Sequence, residues 1–304
     1  MPLIEVQALT KHYGPRRGID RVSLAIDTGQ VFGFLGPNGA GKTTTIRALM
    51  GLLRPSAGSA RIAGLDCWSQ SRRIKEDVGY LPSDVRMPPW LTGETGLSLF
   101  GSIRRRDLRA HGRDLAALFD LDLRVPVRRM SRGMRQKLGL VLTLAHRPRA
   151  IILDEPTSAL DPLMQDRLKG YLRDAARAGR CVFFSSHTIA EVEAICDRVA
   201  VIREGRIVAN DTIDALKQAA GHDVVIRWRG APPPRPGDAP AGFELASIDA
   251  ATWHARWIGD VGPLVAWLAG QEIDDLTIAR PDLESLFRGY YAAERDDASN
   301  GEAS

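Results

Sequence analysis

Short alternating runs of apolar and polar residues open the chain: Ile4-Glu-Val6 and Val22-Ser-Leu24-Ala-Ile26, punctuated by Gly14-Pro15 and Thr28-Gly29. This two-residue period predicts antiparallel strands with one face in a core. The pattern becomes continuously apolar at Val31-Phe-Gly-Phe-Leu35, breaks into glycines, and resumes as a helix from Lys42 that ends near Gly51, with Pro55 beyond. Ser59-Ala-Arg-Ile62 predicts another strand, a polar helical stretch follows, and Val78–Leu81 is an apolar strand stopped by Pro82. From Thr92-Gly-Glu94 the spacing turns helical, with Leu97, Leu99, Phe100 and Ile103, then Leu115, Leu118, Phe119 and Leu121. This block interrupts an α/β alternation and predicts a helical subdomain over about residues 84–147.

Alternation returns with buried strands at Ala150–Leu153 and Cys181–Ser185. Between them Asp161-Pro162 caps and opens a helix whose apolar face is Met164, Leu168, Tyr171, Leu172 and Ala175, ended by Gly179. Strands around Val199–Ile202 and Arg206–Val208 complete a first domain, placed at 1–220. Beyond it, at Ala231-Pro-Pro-Pro234-Arg-Pro236-Gly237, the composition shifts. A strand at Thr252–Trp257, a helix near Leu264–Leu268, a strand at Glu272–Ile278 and a helix at Pro281–Tyr291 predict a small α+β domain over 221–293. The polar tail 294–304 is expected to be disordered.

The 304 residues suffice for one large domain or two smaller ones, and 44% hydrophobic with 26% charged is ordinary globular composition. No apolar run approaches the roughly 18 residues needed to cross a bilayer; the longest, Leu138 to Ala145, is interrupted by Thr143. The N-terminal residues lack the pattern of a signal peptide, so a cytoplasmic protein is expected. Cys67, Cys181 and Cys196 suggest neither a disulfide framework nor a metal site. A net charge of +4 does not by itself argue for nucleic acid. Arg104-Arg105-Arg106 reads as a solvated helix end or as a phosphate-facing cluster.

The glycine break carries the chemistry. Gly36-Pro37-Asn38-Gly39-Ala40-Gly41-Lys42-Thr43-Thr44 follows a strand and opens a helix, with the spacing of a phosphate-binding loop. Glycines there leave backbone N–H groups free to converge on phosphate oxygens, and the helix dipole favours the anion. Lys42 supplies a charge for the β/γ-phosphates, and Thr43 a hard oxygen for Mg²⁺. Asp154-Glu155 ends a buried strand, where two unpaired carboxylates would be costly without a cation. Beside a phosphate loop, Asp154 is expected to hold Mg²⁺ and Glu155 to orient or deprotonate an attacking water. His187 follows a strand of the same sheet, where a γ-phosphate contact is expected. Ser131 and Gly133 form a helix N-terminus able to receive an anion. Tyr13, before Gly14, is either a partly buried aromatic or a platform for an adenine ring.

Taken in order, these elements resemble the nucleotide-binding subunit of ABC transporters over roughly residues 3–220. The phosphate loop resembles Walker A, Ile151–Glu155 resembles Walker B, Ser131-x-Gly133 falls where the signature motif belongs, Ser158–Asp161 resembles the D-loop and His187 the switch histidine. The resemblance implies an α/β P-loop NTPase core with an antiparallel β subdomain and a helical subdomain, using ATP and Mg²⁺. It further implies a head-to-tail homodimer in which Ser131, Gly133 and Asp161 serve the nucleotide held by the partner. Two departures stand out. The signature is Met130-Ser131-Arg132-Gly133-Met134 where the family has Leu-Ser-Gly-Gly-Gln, and Ser83 replaces the glutamine that usually follows Pro82, leaving Asp84 as a carboxylate that could reach Mg²⁺ in its stead. The variant signature, single ATPase domain and C-terminal extension resemble the subfamily that works with a separate ABC-2 type membrane permease, including drug and antibiotic exporters. A peripheral location on the inner face of the membrane follows, with no nucleic-acid partner expected. A soluble ABC ATPase acting on ribosomes, nucleic acid or cofactor assembly, and a P-loop small-molecule kinase, are the competing readings.

Overall fold

The computed structural model describes residues 2–229 and 238–279 and divides into two compact units, one ending at Asp211 and one beginning at Thr212. In the first, β1 (Ile4–Tyr13) and β2 (Arg16–Ile26) form an antiparallel hairpin. With β4 (Ala57–Ile62) and β5 (Leu65–Asp66) they make a sheet in the order β2-β1-β4-β5. A second sheet of six strands runs β10 (Arg206–Thr212), β9 (Arg198–Arg203), β3 (Val31–Leu35), β8 (Cys181–Ser186), β7 (Ala150–Asp154) and β6 (Val78–Leu81). From β9 to β6 every pairing is parallel. The continuously apolar runs are the central strands, fully buried in β3, β7 and β8 because helices cover both faces.

Parallel register decides where the chemistry gathers. Leu35 pairs with Ser186, Asp154 with Ser185, and Leu81 with Leu153, so the strands end together at one edge. The carboxyl edge of an open parallel sheet is where such folds bind ligands. The helix α1 (Lys42–Leu49) starts there and buries Ile46, Ala48 and Leu49 in a core that contains Ile4, Val6, Ile62, Phe32, Phe34 and Phe183.

The helical block expected over 84–147 contains α3 (Gly93–Arg104), α4 (Arg109–Leu118) and α5 (Arg132–Leu144), with α2 (Ser71–Asp77) preceding β6. Thr92 caps α3 by accepting from Thr95 N–H, and Gly112 lets α4 close on Leu97, where a Cβ would lie 2.4 Å from that side chain. Of the apolar positions read along α3, Leu97 is buried whereas Leu99, Phe100 and Ile103 are exposed. Helices α6 (Pro162–Arg177) and α7 (Ile189–Ile195) flank β8, and Asp161 caps α6 by accepting from Met164 N–H as its sequence foretells.

The second unit contains α8 (Ile213–Ala220), β11 (His222–Trp228), β12 (Phe243–Asp249), β13 (Thr252–Trp257), α9 (Val261–Leu268) and β14 (Ile273–Ala279). Its sheet is antiparallel in the order β12-β13-β11-β14, around a core of Val224, Ile226, Trp228, Trp253, Trp257, Leu264 and Leu268. The Trp228 and Trp253 rings meet edge to face at 5.0 Å. Strand β11, central here, is absent from the sequence reading. The Pro-rich stretch at 231–237, the helix read at 281–291 and the tail 294–304 lie outside the described residues.

Candidate functional site

The phosphate loop crosses from β3 to α1 with the backbone that its glycines permit. Gly39 and Gly41 have φ of +83° and +112°, and a Cβ on Gly36 would lie 2.3 Å from the Ile202 carbonyl oxygen. No side chain caps α1, so its first N–H groups are left facing the loop. Ala40 N–H donates to the Pro37 carbonyl at 3.2 Å and the Ala40 carbonyl accepts from Gly205 N–H at 2.9 Å, which tie the loop to its own turn and to the β9–β10 turn. Asn38 and Thr44 lie on the same loop and first turn.

Lys42 is buried, with two backbone carbonyls and one carboxylate as its partners. Its Nζ donates to the Gly36 carbonyl at 2.6 Å and to Pro37 at 3.2 Å, and lies 3.1 Å from Glu155 Oε1. Next to it Thr43 Oγ1 donates to Asp154 Oδ2 at 2.8 Å. Asp154 is 1% exposed, and its other oxygen accepts from Ser185 Oγ at 2.7 Å. Ser185 Oγ also accepts from Glu155 N–H at 3.1 Å. Glu155 has φ +51°, a left-handed conformation that costs a non-glycine residue about 1–2 kcal/mol, and its N–H is shared between that hydroxyl and the Ser185 carbonyl at 3.2 Å. Its second oxygen lies 3.4 Å from His187 Nδ1. Burial, and then the Asp154 charge, push the Tyr80 phenol up to about 12.

Thus Lys42, Thr43, Asp154, Glu155 and His187, distant in sequence, form one contiguous polar cluster at the loop. The hard-oxygen pair Thr43 and Asp154, already in mutual contact, has the donor chemistry of a Mg²⁺ site. Asp84 is not part of it. Its carboxylate is exposed and paired with Arg86 at 2.6 Å, and among the described residues it has no polar contact with Thr43 or Asp154. The reason is local: an arginine two residues away captures it.

Tyr13 is 46% exposed at the end of β1, with Lys11 Nζ 5.6 Å from its ring centre. A Cβ on Gly18 would lie 2.7 Å from that ring, and a Cβ on Gly41 would lie 3.0 Å from the Gly18 carbonyl. The ring is therefore one residue removed from the phosphate loop. Ser131 caps α5 by accepting from Met134 N–H at 3.1 Å, and a Cβ on Gly133 would lie 2.8 Å from the Ala159 carbonyl. Among the described residues neither Ser131, Gly133 nor Asp161 has a polar contact with the phosphate loop.

Two residues absent from the sequence reading belong to the site. Ser185 is the buried link between Asp154 and Glu155. Gln136, also buried, donates from Nε2 to the Pro156 carbonyl at 2.9 Å and fastens α5 to the turn after Glu155. A glutamine one helical turn past a capping Ser131 was visible, but nothing in the sequence says which carbonyl it meets.

With the geometry established, comparison with known proteins is direct. The ABC transporter family model matches residues 19–158. The daunorubicin resistance ATP-binding protein DrrA3 of Streptomyces coeruleorubidus is 33% identical over 301 residues, spanning 93% of this chain and 94% of that protein. The Nod factor export ATP-binding protein I of Ralstonia nicotianae is 33% identical over 295 residues, spanning 94% and 90%. Among solved structures, an ATP binding subunit of an ABC transporter matches with a TM-score of 0.68 at 28% identity, over 71% of this chain and 92% of that one. A dimeric ATP-binding cassette in a post-hydrolysis state with ADP and Pi matches with a TM-score of 0.62 at 21% identity, over 69% and 98%, which is a likeness of fold. From phosphate loop to full-length relatives these findings agree: the chain belongs to the ABC transporter family, as an ATP-binding, ATP-hydrolysing protein.

Proposed function

We propose that this chain is the motor of an ABC-2 type exporter, working on the inner face of the membrane against a separate permease chain. The observation that carries the reading is the Lys42–Glu155–His187 and Thr43–Asp154–Ser185 cluster at the carboxyl edge of the sheet. Loop N–H groups and Lys42 bind the β- and γ-phosphates, and Tyr13 stacks on the adenine. Thr43 and Asp154 would hold Mg²⁺, which when bound supplies charge neutralisation at the phosphates. Glu155 takes the proton of the attacking water, and His187, 3.4 Å from it, orients that carboxylate and meets the γ-phosphate.

The signature residues need a second copy. Ser131 and Gly133 have no polar contact with their own loop among the described residues, and in the proposed head-to-tail pair they contact the γ-phosphate bound by the partner, with Asp161 beside it. A groove of about 350 Å³ between β6, α3 and α5 offers the permease a seat. It is lined by Leu81, Val85, Met87, Leu99 and Leu142, and exposed Trp90 stands at its rim. Of these Leu99 and Trp90 are exposed, and an apolar groove with exposed apolar side chains marks a protein contact. The named drug-resistance and Nod-factor-export relatives support export as the direction.

The test is affinity purification of Glu155→Gln from detergent-solubilised membranes with ATP and Mg²⁺. The variant should bind ATP with turnover reduced by about a hundredfold or more, and should bring a polytopic membrane protein with it in equal amount. Recovery of ribosomes, nucleic acid or soluble proteins alone would overturn the exporter reading, and undiminished turnover would overturn the role of Glu155.

A further inference from the structure

The Arg104-Arg105-Arg106 triplet has no place in the nucleotide site, and its surroundings are unlike the rest of the surface. It forms one wall of an open depression of about 840 Å³ whose other walls are Arg72, Lys75 and Glu76 of α2 and Phe100 and Ile103 of α3. Five cations and one carboxylate line it, a net charge equal to the +4 of the whole chain. Among the described residues none of the five cations is ion-paired with a carboxylate. Nearby arginines are: Arg109 has Asp107, Arg113 has Glu94 and Arg124 has Asp122.

The arginines divide their roles. Arg104 donates to the Lys75 and Glu76 carbonyls at 3.0 and 2.8 Å, closing the end of α2 and bolting α3 to it. Burial and then the Arg106 charge lower its pKa, a sign that the cations repel one another. The chain then turns at Arg105, with φ +53°, so Arg105 and Arg106 are directed to solvent. Beside them Ile103 is 69% exposed, the highest value among the described large apolar side chains.

We propose that this face binds the anionic phospholipid surface of the membrane. Arg72, Lys75, Arg105 and Arg106 would meet headgroup phosphates, while Ile103 enters the interfacial layer. Apolar side chains ringed by unneutralised cations are the composition that lies on a charged bilayer. Single-stranded nucleic acid would be answered by a run of stacking aromatics, whereas Phe100 is the one aromatic in this lining and the aliphatic Ile103 is the more exposed. The inference rests on the proposed work at a membrane. Phe100 and Arg104 line both this depression and the apolar groove, so a permease seated in the groove would leave the basic face at the membrane boundary.

The full chain is cosedimented with vesicles of phosphatidylcholine alone, or with about one third phosphatidylglycerol. Each basic residue near such a surface contributes about a fivefold factor, so R72Q/R105Q/R106Q should bind anionic vesicles about a hundredfold more weakly. I103S should lose a smaller, salt-insensitive factor, and both variants should retain parental ATP turnover. No binding to anionic vesicles, equal binding to both compositions, or undiminished binding by the triple variant overturns the proposal. Loss of a co-purifying permease by the triple variant with vesicle binding unchanged also overturns it, assigning the face to protein. Vesicle binding lost in the triple variant while no permease co-purifies with Glu155→Gln upholds the lipid face and defeats the exporter reading instead.

Discussion

Replacing Ser185 by alanine tests whether the site is assembled through Asp154. Asp154 is 1% exposed and accepts at 2.7 Å from Ser185 and at 2.8 Å from Thr43. Removing the serine hydroxyl leaves one carboxylate oxygen buried without its donor. Glu155 N–H keeps a bond of 3.2 Å to the Ser185 carbonyl, so the loss falls on Asp154. A hydrogen bond to a charged group contributes about 1.5–3 kcal/mol, and the cavity of one hydroxyl adds little, so the expected cost is about 2 kcal/mol. In a unit ending at Asp211, each kcal/mol shifts the melting temperature by about 2–4 °C, giving a fall of about 4–8 °C. A chain of two compact units need not unfold in one transition, and the relevant transition is the one that ATP raises. Calorimetry with and without ATP reads it, and a Mg²⁺ titration of turnover should show a raised half-saturating concentration. Ser185→Cys, nearly isosteric with a weaker donor, should fall between the two. An ATP-responsive transition within about 1 °C of the parent would refute the reasoning.

Two more outcomes follow from the coordinates. Gly36→Ala should abolish ATP binding, because its Cβ would lie 2.3 Å from the Ile202 carbonyl, whereas Gly39→Ala meets nothing within 4 Å and should cost only the roughly 1–2 kcal/mol of its φ of +83°. Binding of a fluorescent ATP analogue and the melting temperature separate the two, and equal effects would sink the steric argument. His146 is buried, and that burial, followed by the Arg104 charge, lowers its pKa from 6.5 to about 4. The unfolded chain therefore binds more protons in that window, so stability is complete above about pH 6.5 and is lost as pH falls towards 4. Urea titrations of the parent and His146→Phe at intervals across the window check this, and the variant should show the flatter profile; parallel profiles would disprove it.

Much of this was legible in the chain because it is governed by local rules. Glycine at positions 36, 39 and 41 answers to backbone geometry, Asp161-Pro162 to helix capping, and the apolar runs at 31–35, 150–154 and 181–186 to double-sided burial. Tertiary partnerships are what periodicity does not encode. Ser185 reads as the end of an apolar strand until parallel register sets it beside Asp154. Asp84 reads as a carboxylate that could reach Mg²⁺, whereas in the structure it is paired with Arg86. The apolar positions of α3 read as a helix, yet of Leu97, Leu99, Phe100 and Ile103 only Leu97 is enclosed, because helical spacing does not distinguish a core from an exposed apolar surface. In β11 the alternation of Val224, Ile226 and Trp228 is present, but only pairing with β13 and β14 makes it a central strand.

The contact between Lys42 and Glu155 bears on what the nucleotide displaces. With Lys42 serving the phosphates and Glu155 the attacking water, as proposed, each residue of an empty site is held by the other. Arriving phosphate competes for that lysine and frees the carboxylate to turn towards water. The incoming nucleotide thereby exchanges one salt contact for another, and the buried cation is at no stage left without an anion.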